Sequence, residues 1–426
     1  MMIESDPISR LEARLNDFNP VVRAEALARL IDHARDGLIM PGELPPSANM
    51  HCHTFYSYNA AGLSPSSVAW TAWTLGIDYM GIVDFDVLDG VEEFLAACEI
   101  LGVKGSTGIE TRAFIPEYSD RVINSPGEPG VCYLMGVGFI SASVPADVES
   151  LFHDLRDRTA SRNRSLVERL NNRLDPVVID YEADVLSLTP SGNPTERHIV
   201  SAYASKAEER VPDTVAFWSE KLRLEMHEIG TASTGDQHFL DILRQGLIKQ
   251  NGIGYEQPDL DTFPHFRDFF RFVESCGAIP CAAWLDGTSE GEQVMGDLLE
   301  LLIDHGAAAL SLIPERSWNI TDPTERDMKS EHLKQVVELC RDLDLPLIIG
   351  TEMSSFGQIM ADDLDAPTLA PFREEFLQGA RFLYGHTLLQ QSNGRGWQSD
   401  WMREQYRERD KRVRYITSIG AGEERS

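Results

Sequence analysis

The chain has 426 residues, of which 42% are hydrophobic, and a formal net charge of −30 from 68 acidic and 38 basic side chains. This length and hydrophobic content are enough for one barrel-sized domain with an insertion, or for two or three smaller domains. The negative field repels a nucleic-acid backbone, and the sequence shows no basic cluster to offset it, so we expect no nucleic-acid partner.

The apolar runs and the cysteines of the sequence favour a cytoplasmic protein without disulfides. No apolar run is long enough to span a bilayer, and the first residues lack the basic start and apolar core of a secretory signal. The six cysteines are scattered without a Cys-x-x-Cys pair, which argues against a zinc ribbon and against a disulfide scaffold. We therefore expect a cytoplasmic location, no membrane partner and reduced cysteines.

The first 47 residues are predicted to form a helical leader. Asn19 can cap a helix that has Pro20 at its first position and continues through Leu30. Three prolines from Pro41 onward then stop helix formation and lead the chain into the first strand. The leader is interpreted as a packing or partner element.

Strands and helices alternate after the leader. Helices are predicted at residues 64–75 and 91–101. Strands are predicted at residues 50–53, 79–84, 104–110, 131–139, 278–284, 307–313 and 345–350. About seven strands with intervening helices favour a parallel α/β barrel over an open sheet.

A polar, Arg- and Glu-rich stretch separates the first four strands from the last three. Within residues 143–263, helices are predicted at residues 146–174, 196–206 and 214–226. We interpret this stretch as a helical insertion that lies over the barrel mouth. The predicted organisation is a leader over 1–47, a first barrel part over 48–142, the insertion over 143–263, and a second barrel part with a solvated C-terminal helix over 264–426.

Residues able to bind a metal ion close five of the predicted strands. Because the active sites of parallel barrels lie at the C-terminal ends of their strands, we expect these side chains to meet at one mouth. Imidazole and carboxylate groups together suit one or more hard or borderline divalent ions. For a single acid the alternative is a helix N-cap. The residues are His51 and His53 on one face of the first strand, Asp84 with Asp86, Glu110, Asp286 and Glu352.

Three sequence segments carry a family resemblance. They are HCHTFYS at residues 51–57 with Leu-Ser-Pro at 63–65, GIVDFDVLDG at 81–90, and GIE at 108–110. Together they resemble the PHP (polymerase and histidinol phosphatase) domain, strongly over residues 48–112 and more faintly afterwards. The resemblance implies a distorted parallel (β/α)7 barrel of PHP type, a divalent metal centre and phosphoesterase activity.

The chain departs from the family pattern where the family has histidines. Phe85 stands in place of the histidine that follows Asp84. Trp284 and Leu285 replace a His-Pro pair, and the last Asp-x-His motif reads Glu352 and Ser354. Three imidazole ligands are therefore missing.

The remaining family ligands predict a reduced metal centre. One ion is expected, or two if Asp84, Asp86 or Asp286 turns inward. Manganese, iron(II), magnesium and zinc are candidates, and oxygen-rich ligation shifts the preference away from zinc. The predicted metal ligands are His51, His53, Glu110 and Glu352.

Further roles are predicted around this centre. His198 resembles the family's histidine in the inserted helices, although a surface helix histidine explains it equally well. Phe85 and Trp284 suit a ring-bearing ligand, or simply fill the space of the lost histidines. Proton transfer is assigned to Asp84, Asp286 and His198, and substrate binding to Arg197, Phe85 and Trp284.

Two functions remain open at this point. The first is a metal-dependent hydrolase acting on a small, anionic, phosphorylated metabolite or nucleotide. The second is a barrel that has lost catalysis and serves as a ligand- or partner-binding module, as the changes at Phe85, Trp284 and Ser354 would allow. The retained His-x-His motif with Glu110 favours the first, because a site without a metal has no physical need for acids aimed at one mouth.

Overall fold

Seven strands form one sheet in the computed structural model, which describes residues 7–259 and 261–423. Their order in the sheet is their order in the chain. The strands are β1 (Ala48–Cys52), β2 (Tyr79–Phe85), β3 (Lys104–Phe114), β4 (Val131–Phe139), β5 (Ile279–Trp284), β6 (Ala309–Leu312) and β7 (Leu347–Ile349).

The sheet closes nearly into a barrel between β1 and the residues that follow β7. The Glu352 N–H donates to the His51 carbonyl, and the His53 N–H donates to the Glu352 carbonyl, both at 2.8 Å. The predicted seven-stranded α/β barrel is thus confirmed.

The barrel is distorted because β4 runs antiparallel to both of its neighbours, while the other adjacent strands are parallel. The connection from β3 to β4 contains no α-helix. A parallel neighbour would need a crossover of a dozen or more residues, usually helical, whereas an antiparallel one can follow after a turn.

Helices surround the sheet. Those before β5 are α1 (Pro7–Arg14), α2 (Pro20–Arg35), α3 (Pro65–Leu75), α4 (Val91–Leu101), α5 (Glu149–Leu174), α6 (Glu196–Arg210), α7 (Thr214–Leu222), α8 (Met226–Ile229), α9 (Gln237–Leu247) and α10 (Phe266–Ser275). Those after β5 are α11 (Met295–Asp304), α12 (Glu315–Trp318), α13 (Pro323–Asp342), α14 (Arg373–Asn393), α15 (Asp400–Gln405) and α16 (Arg409–Ala421). None of the described helices is long and apolar enough to cross a membrane.

The leader helices pack on the outside of the barrel. As predicted, Asn19 caps α2, and its side chain accepts a hydrogen bond from the Val21 N–H at 3.0 Å. The α2 residue Arg23 is 1% exposed and pairs with Glu93 of α4. Its charge is also held over the Phe55 ring, 5.1 Å from the centroid. These contacts give the leader a packing role.

The helices between β4 and β5 have a hydrophobic cluster of their own. It is built from side chains between residues 166 and 248, apart from the main barrel cluster. The sequence patterns predicted α5, α6 and α7 but missed α8, α9 and α10. The predicted division of the chain at residues 143 and 263 stays a prediction.

The long helix α14 supports the bottom of the sheet and was not predicted. Phe376, Leu383 and His386 on this helix are buried. The Trp397 N–H donates to Nδ1 of His386 at 3.0 Å, so Nε2 carries the proton and donates to the Gly138 carbonyl at 3.1 Å. These bonds give His386 a structural role.

Candidate metal centre and its cavity

His51, His53 and Glu110 come together at the mouth of the barrel. Glu110 on β3 pairs with Phe85, the last residue of β2, and so lies level with the end of β1. Oε2 of Glu110 is 3.4 Å from Nε2 of each histidine. The three side chains are buried, and their ligand atoms lie within 4.8 Å of one another. Such a group could hold a divalent ion.

The hydrogen bonding of the three side chains fits a metal ion. Nδ1 of His53 lies 2.5 Å from the Val83 carbonyl oxygen, which assigns the proton to Nδ1 and leaves the Nε2 lone pair facing Glu110. Both ring nitrogens of His51 and Oε2 of Glu110 are buried without a hydrogen-bond partner in the described part of the chain. Buried polar atoms without partners are rare and costly, and a bound cation would satisfy Oε2 of Glu110 and one of the His51 nitrogens.

The pKa of His51 depends on the charged groups around it. Burial lowers the pKa of His51, but the Glu110 carboxylate and, more weakly, Glu352 outweigh it, so that the net shift is upward. An imidazole must be neutral to bind a metal ion. Metal binding and protonation of His51 are therefore expected to compete.

The fourth predicted ligand, Glu352, lies at the same mouth but is bound to Arg316. A guanidinium nitrogen of Arg316 is 3.0 Å from Oε2 and 3.3 Å from Oε1 of Glu352. Burial raises the pKa of Glu352, but the charge of Arg316 reverses this and lowers the pKa to about 2. An arginine thus neutralises this carboxylate in the structure.

The backbone at Glu352 is also unusual. Glu352 and Met353 both have left-handed conformations, with φ of 58° and 56°. This conformation is uncommon for residues other than glycine, and it persists only where the surrounding structure enforces it. Here the two backbone hydrogen bonds to His51 and His53 hold Glu352 at the mouth.

Asp84 has a different environment from the one predicted. Its carboxylate accepts hydrogen bonds from the Thr54 N–H and hydroxyl at 2.7 and 2.6 Å and from the Ser57 hydroxyl at 2.6 Å. These bonds order the turn directly after His53. Both carboxylate oxygens are thus engaged, and the predicted role of Asp84 in proton transfer stays a prediction.

His198 and Asp286 are also held by neighbouring groups. Nδ1 of His198 accepts from the Thr195 N–H at 3.0 Å in a capping box, and burial lowers the pKa of the ring to about 4. Asp286 accepts from the Thr288 hydroxyl and lies 3.1 Å from Nζ of Lys329. Neither residue, nor Asp84, is among the described residues that line the cavity. Their predicted catalytic roles therefore have no geometric support.

A cavity of about 580 Å³ opens at the three metal-binding side chains. The three predicted substrate-binding residues, Arg197, Phe85 and Trp284, all line it. The Phe85 ring stacks on His53, with 4.7 Å between ring centroids and 25° between planes. Arg197 donates to Asp241 at 3.0 Å and to Ser355 at 2.9 Å.

The cavity is rich in basic side chains, and the sequence analysis had found only Arg197 among them. Arg112 follows Glu110 by two residues on β3, and this spacing is the one local signal that could have revealed it. The others come from α5, α6, α9, the segment after α9, and α12. The basic lining residues in the described part of the chain are Arg112, Arg162, Arg197, Arg244, Lys249 and Arg316, against four acids, Asp86, Glu110, Glu196 and Glu352.

Comparison with known sequences is limited to a short segment. No family model matches the chain. A stretch of 86 residues is 30% identical to the error-prone DNA polymerase of Cutibacterium acnes, which is 20% of this chain and 8% of that polymerase. The chain thus corresponds to a small part of this relative.

Of two similar solved structures, the first supports the fold. An amidohydrolase from Chromobacterium violaceum, determined with bound sulfate and no metal, aligns with a TM-score of 0.51 and 13% identity over 78% of this chain and 96% of that one. A candidate metal-dependent phosphoesterase from Bifidobacterium adolescentis aligns with a TM-score of 0.46 and 19% identity over 78% and 98% of the two chains. At such identity a shared fold does not carry function, which depends on the site itself.

Proposed function

We propose that this protein is a metal-dependent hydrolase of small phosphoesters, the activity that its resemblance to PHP domains implies. The observation that carries the proposal is the group His51, His53 and Glu110, with unpartnered atoms, beside a cavity with more basic than acidic side chains. Metal ligands next to guanidinium groups are the combination that phosphate chemistry needs.

His51, His53 and Glu110 would hold a divalent ion, which would supply Lewis acidity and lower the pKa of bound water. The remaining roles belong to this chain's own residues. Arg316 and Arg197 offer guanidinium groups to phosphoryl oxygens, and such groups stabilise developing negative charge better in a partly buried cavity than in water. The Phe85 ring covers His53 and keeps water from one face of it.

The first test is elemental analysis followed by a screen of small phosphoesters with added manganese, magnesium, iron(II) or zinc. We expect about one ion per chain and hydrolysis that requires it. Glu110→Gln should lower the activity at least about 100-fold, since losing even an outer partner of a metal ligand costs about 10- to 100-fold. The matched control is Glu99→Gln, which changes an exposed carboxylate on α4.

Two results would contradict the proposal. One is hydrolysis that survives unchanged in Glu110→Gln. The other is a metal-loaded protein that hydrolyses none of the compounds. The second result would favour the alternative, a binding module. The observation in favour of that alternative is that Asp84, Asp286 and His198 are absent from the cavity wall.

A further inference from the structure

A second cavity of about 470 Å³ adjoins the first. The two cavities share lining residues, among them the cations Arg112, Arg162 and Lys249. Helices α5 and α6 and the segment after α9 supply most of this shared wall, which faces β3. The region lies between the helices of the insertion and the barrel.

The shared wall has more positive than negative charge. Glu196 is shared by three cations, with Lys249 Nζ at 2.6 Å, Arg244 Nε at 3.3 Å and Arg112 at 3.7 Å. Arg112 also pairs with Glu128 at 2.9 Å. Asp86, which lines only the first cavity, accepts hydrogen bonds from two threonine hydroxyls, and the second cavity is also lined by Glu256, Asp259 and Asp261.

Arg162 adds a cation without a carboxylate partner among the described residues. Its guanidinium donates to the Thr262 carbonyl at 3.1 Å and to the Thr159 hydroxyl at 2.7 Å. The guanidinium carbons of Arg162 and Arg112 each lie 4.6 Å from the Phe263 ring centroid. Burial, followed by the charge of Arg112, lowers the pKa of Arg162 to about 10, so the group stays protonated at neutral pH.

This cluster is distinct from the metal-binding side chains. Arg112 leaves β3 two residues after Glu110, about 7 Å along the strand. Its guanidinium turns to Glu128 and Glu196. An anion bound here would therefore be displaced from one bound beside His51 and His53.

We propose that Arg112, Arg162, Arg244 and Lys249 form a second anion subsite. The substrate would carry one phosphoryl group at the metal centre and another anionic group, a phosphate or a carboxylate, at this cluster. The substrate class rests on the proposed function. The subsite itself does not, because the four cations can bind an anion without a metal ion.

The test is equilibrium dialysis of chelator-treated full-length protein at low salt with inorganic phosphate, and in a second arm with succinate. The stronger binder tells whether the subsite takes phosphate or carboxylate. Arg162→Gln should weaken the binding at least about tenfold, because hydrogen bonds to charged groups are strong in a partly buried site. The matched control is Arg164→Gln on the same helix, which is exposed and pairs with Glu182 outside the cavity.

A second variant, Lys249→Gln, guards against a folding defect in Arg162→Gln, and circular dichroism checks both. Binding that is equal in wild type and both variants would overturn the subsite, as would no binding of either anion by wild type. Failure of the proposed hydrolase would instead appear in the phosphoester screen. If a substrate is found, Arg162→Gln should raise KM more than it lowers kcat only for compounds with a second anionic group.

Discussion

At the scale of single residues, hydrogen-bond partners separate functional from structural groups. Asp84 and His53 lie on or next to adjacent strands. The Asp84 carboxylate accepts hydrogen bonds from Thr54 and Ser57, whereas His53 uses only Nδ1 for a hydrogen bond and leaves Nε2 facing Glu110. The sequence pattern does not reveal this difference in hydrogen bonding, because both residues lie at the ends of predicted strands. The difference arises because the turn after β1 brings the polar groups of Thr54 and Ser57 within 3 Å of the Asp84 carboxylate.

Asp362 allows a test of buried charge away from the cavity. It is 5% exposed, accepts from Trp318 at 2.6 Å through Oδ1, and leaves Oδ2 without a partner among the described residues. Burial, only partly offset by the Trp318 hydrogen bond, raises the pKa of Asp362 to about 7. The folded state then holds its proton more tightly than the unfolded chain.

The free energy of unfolding should therefore fall as pH rises from about 4 to about 7, by up to about 4 kcal/mol from this group. Asp362→Asn keeps the acceptor for Trp318 and removes the charge, so it should be more stable than wild type at pH 8 and lose this part of the pH dependence. Urea unfolding at several pH values measures the free energy of unfolding of both proteins. Asp363→Asn, which changes the exposed neighbouring carboxylate, is the control. An identical pH dependence of stability in Asp362→Asn and Asp363→Asn would count against the interpretation.

At the scale of elements, the helices of the C-terminal region are held together by close backbone contact. Gly385 of α14 and Gly420 of α16 face each other where the helices cross. A Cβ atom at Gly385 would lie 2.0 Å from the Ile416 carbonyl oxygen, and one at Gly420 would lie 1.8 Å from that of Arg381. Only residues without a side chain allow this approach.

Gly385→Ala should lower the free energy of unfolding by about 1–3 kcal/mol or more, because backbone cannot move aside as a flexible side chain can. Gly296→Ala in α11 is the matched control. A Cβ there meets nothing within 4 Å, and alanine favours helix, so stability should be unchanged or raised by up to about 1 kcal/mol. Thermal and urea unfolding would reveal the contrast, and equal effects of the two changes would show that the crossing is looser than described.

At the scale of the whole molecule, the charge of the cavity is opposite in sign to the net charge of the chain. The chain carries −30 overall, while the cavity gathers six basic side chains against four acids. An anion approaching from solvent meets a repulsive field that salt screens, and meets attraction only near the cavity. The fold therefore creates an anion-binding region that the composition would argue against.

Metal binding should be visible in the stability of the entire fold. An ion that binds only the folded state adds about 2.7 kcal/mol at 100 times its dissociation constant. Wild type should show this stabilisation in thermal unfolding with an added divalent ion, and His53→Ala should lose it. His227→Ala, which alters an exposed histidine on α8, should respond as wild type does. Equal stabilisation of His53→Ala would remove the His-x-His motif from the site.

The amino-acid sequence alone is enough to establish the features that depend on neighbouring residues. The cap at Asn19, the limits of α4 and β4, and the shared face of His51 and His53 all follow from short-range periodicity and hydrogen bonding. Glu110 could be placed beside the histidines because strand ends in a barrel meet at one mouth.

Tertiary structure decides the rest, because it depends on side chains that packing brings together over long sequence separations. Arg316 reaches Glu352 across 36 residues. Arg112 of β3 shares Glu196 of α6 with Lys249, which follows α9, and periodicity did not link these segments. Whether a carboxylate binds a metal, a threonine or an arginine depends on the nearest group in space. No local pattern encodes that distance, so only the folded chain could show which predicted residues face the cavity.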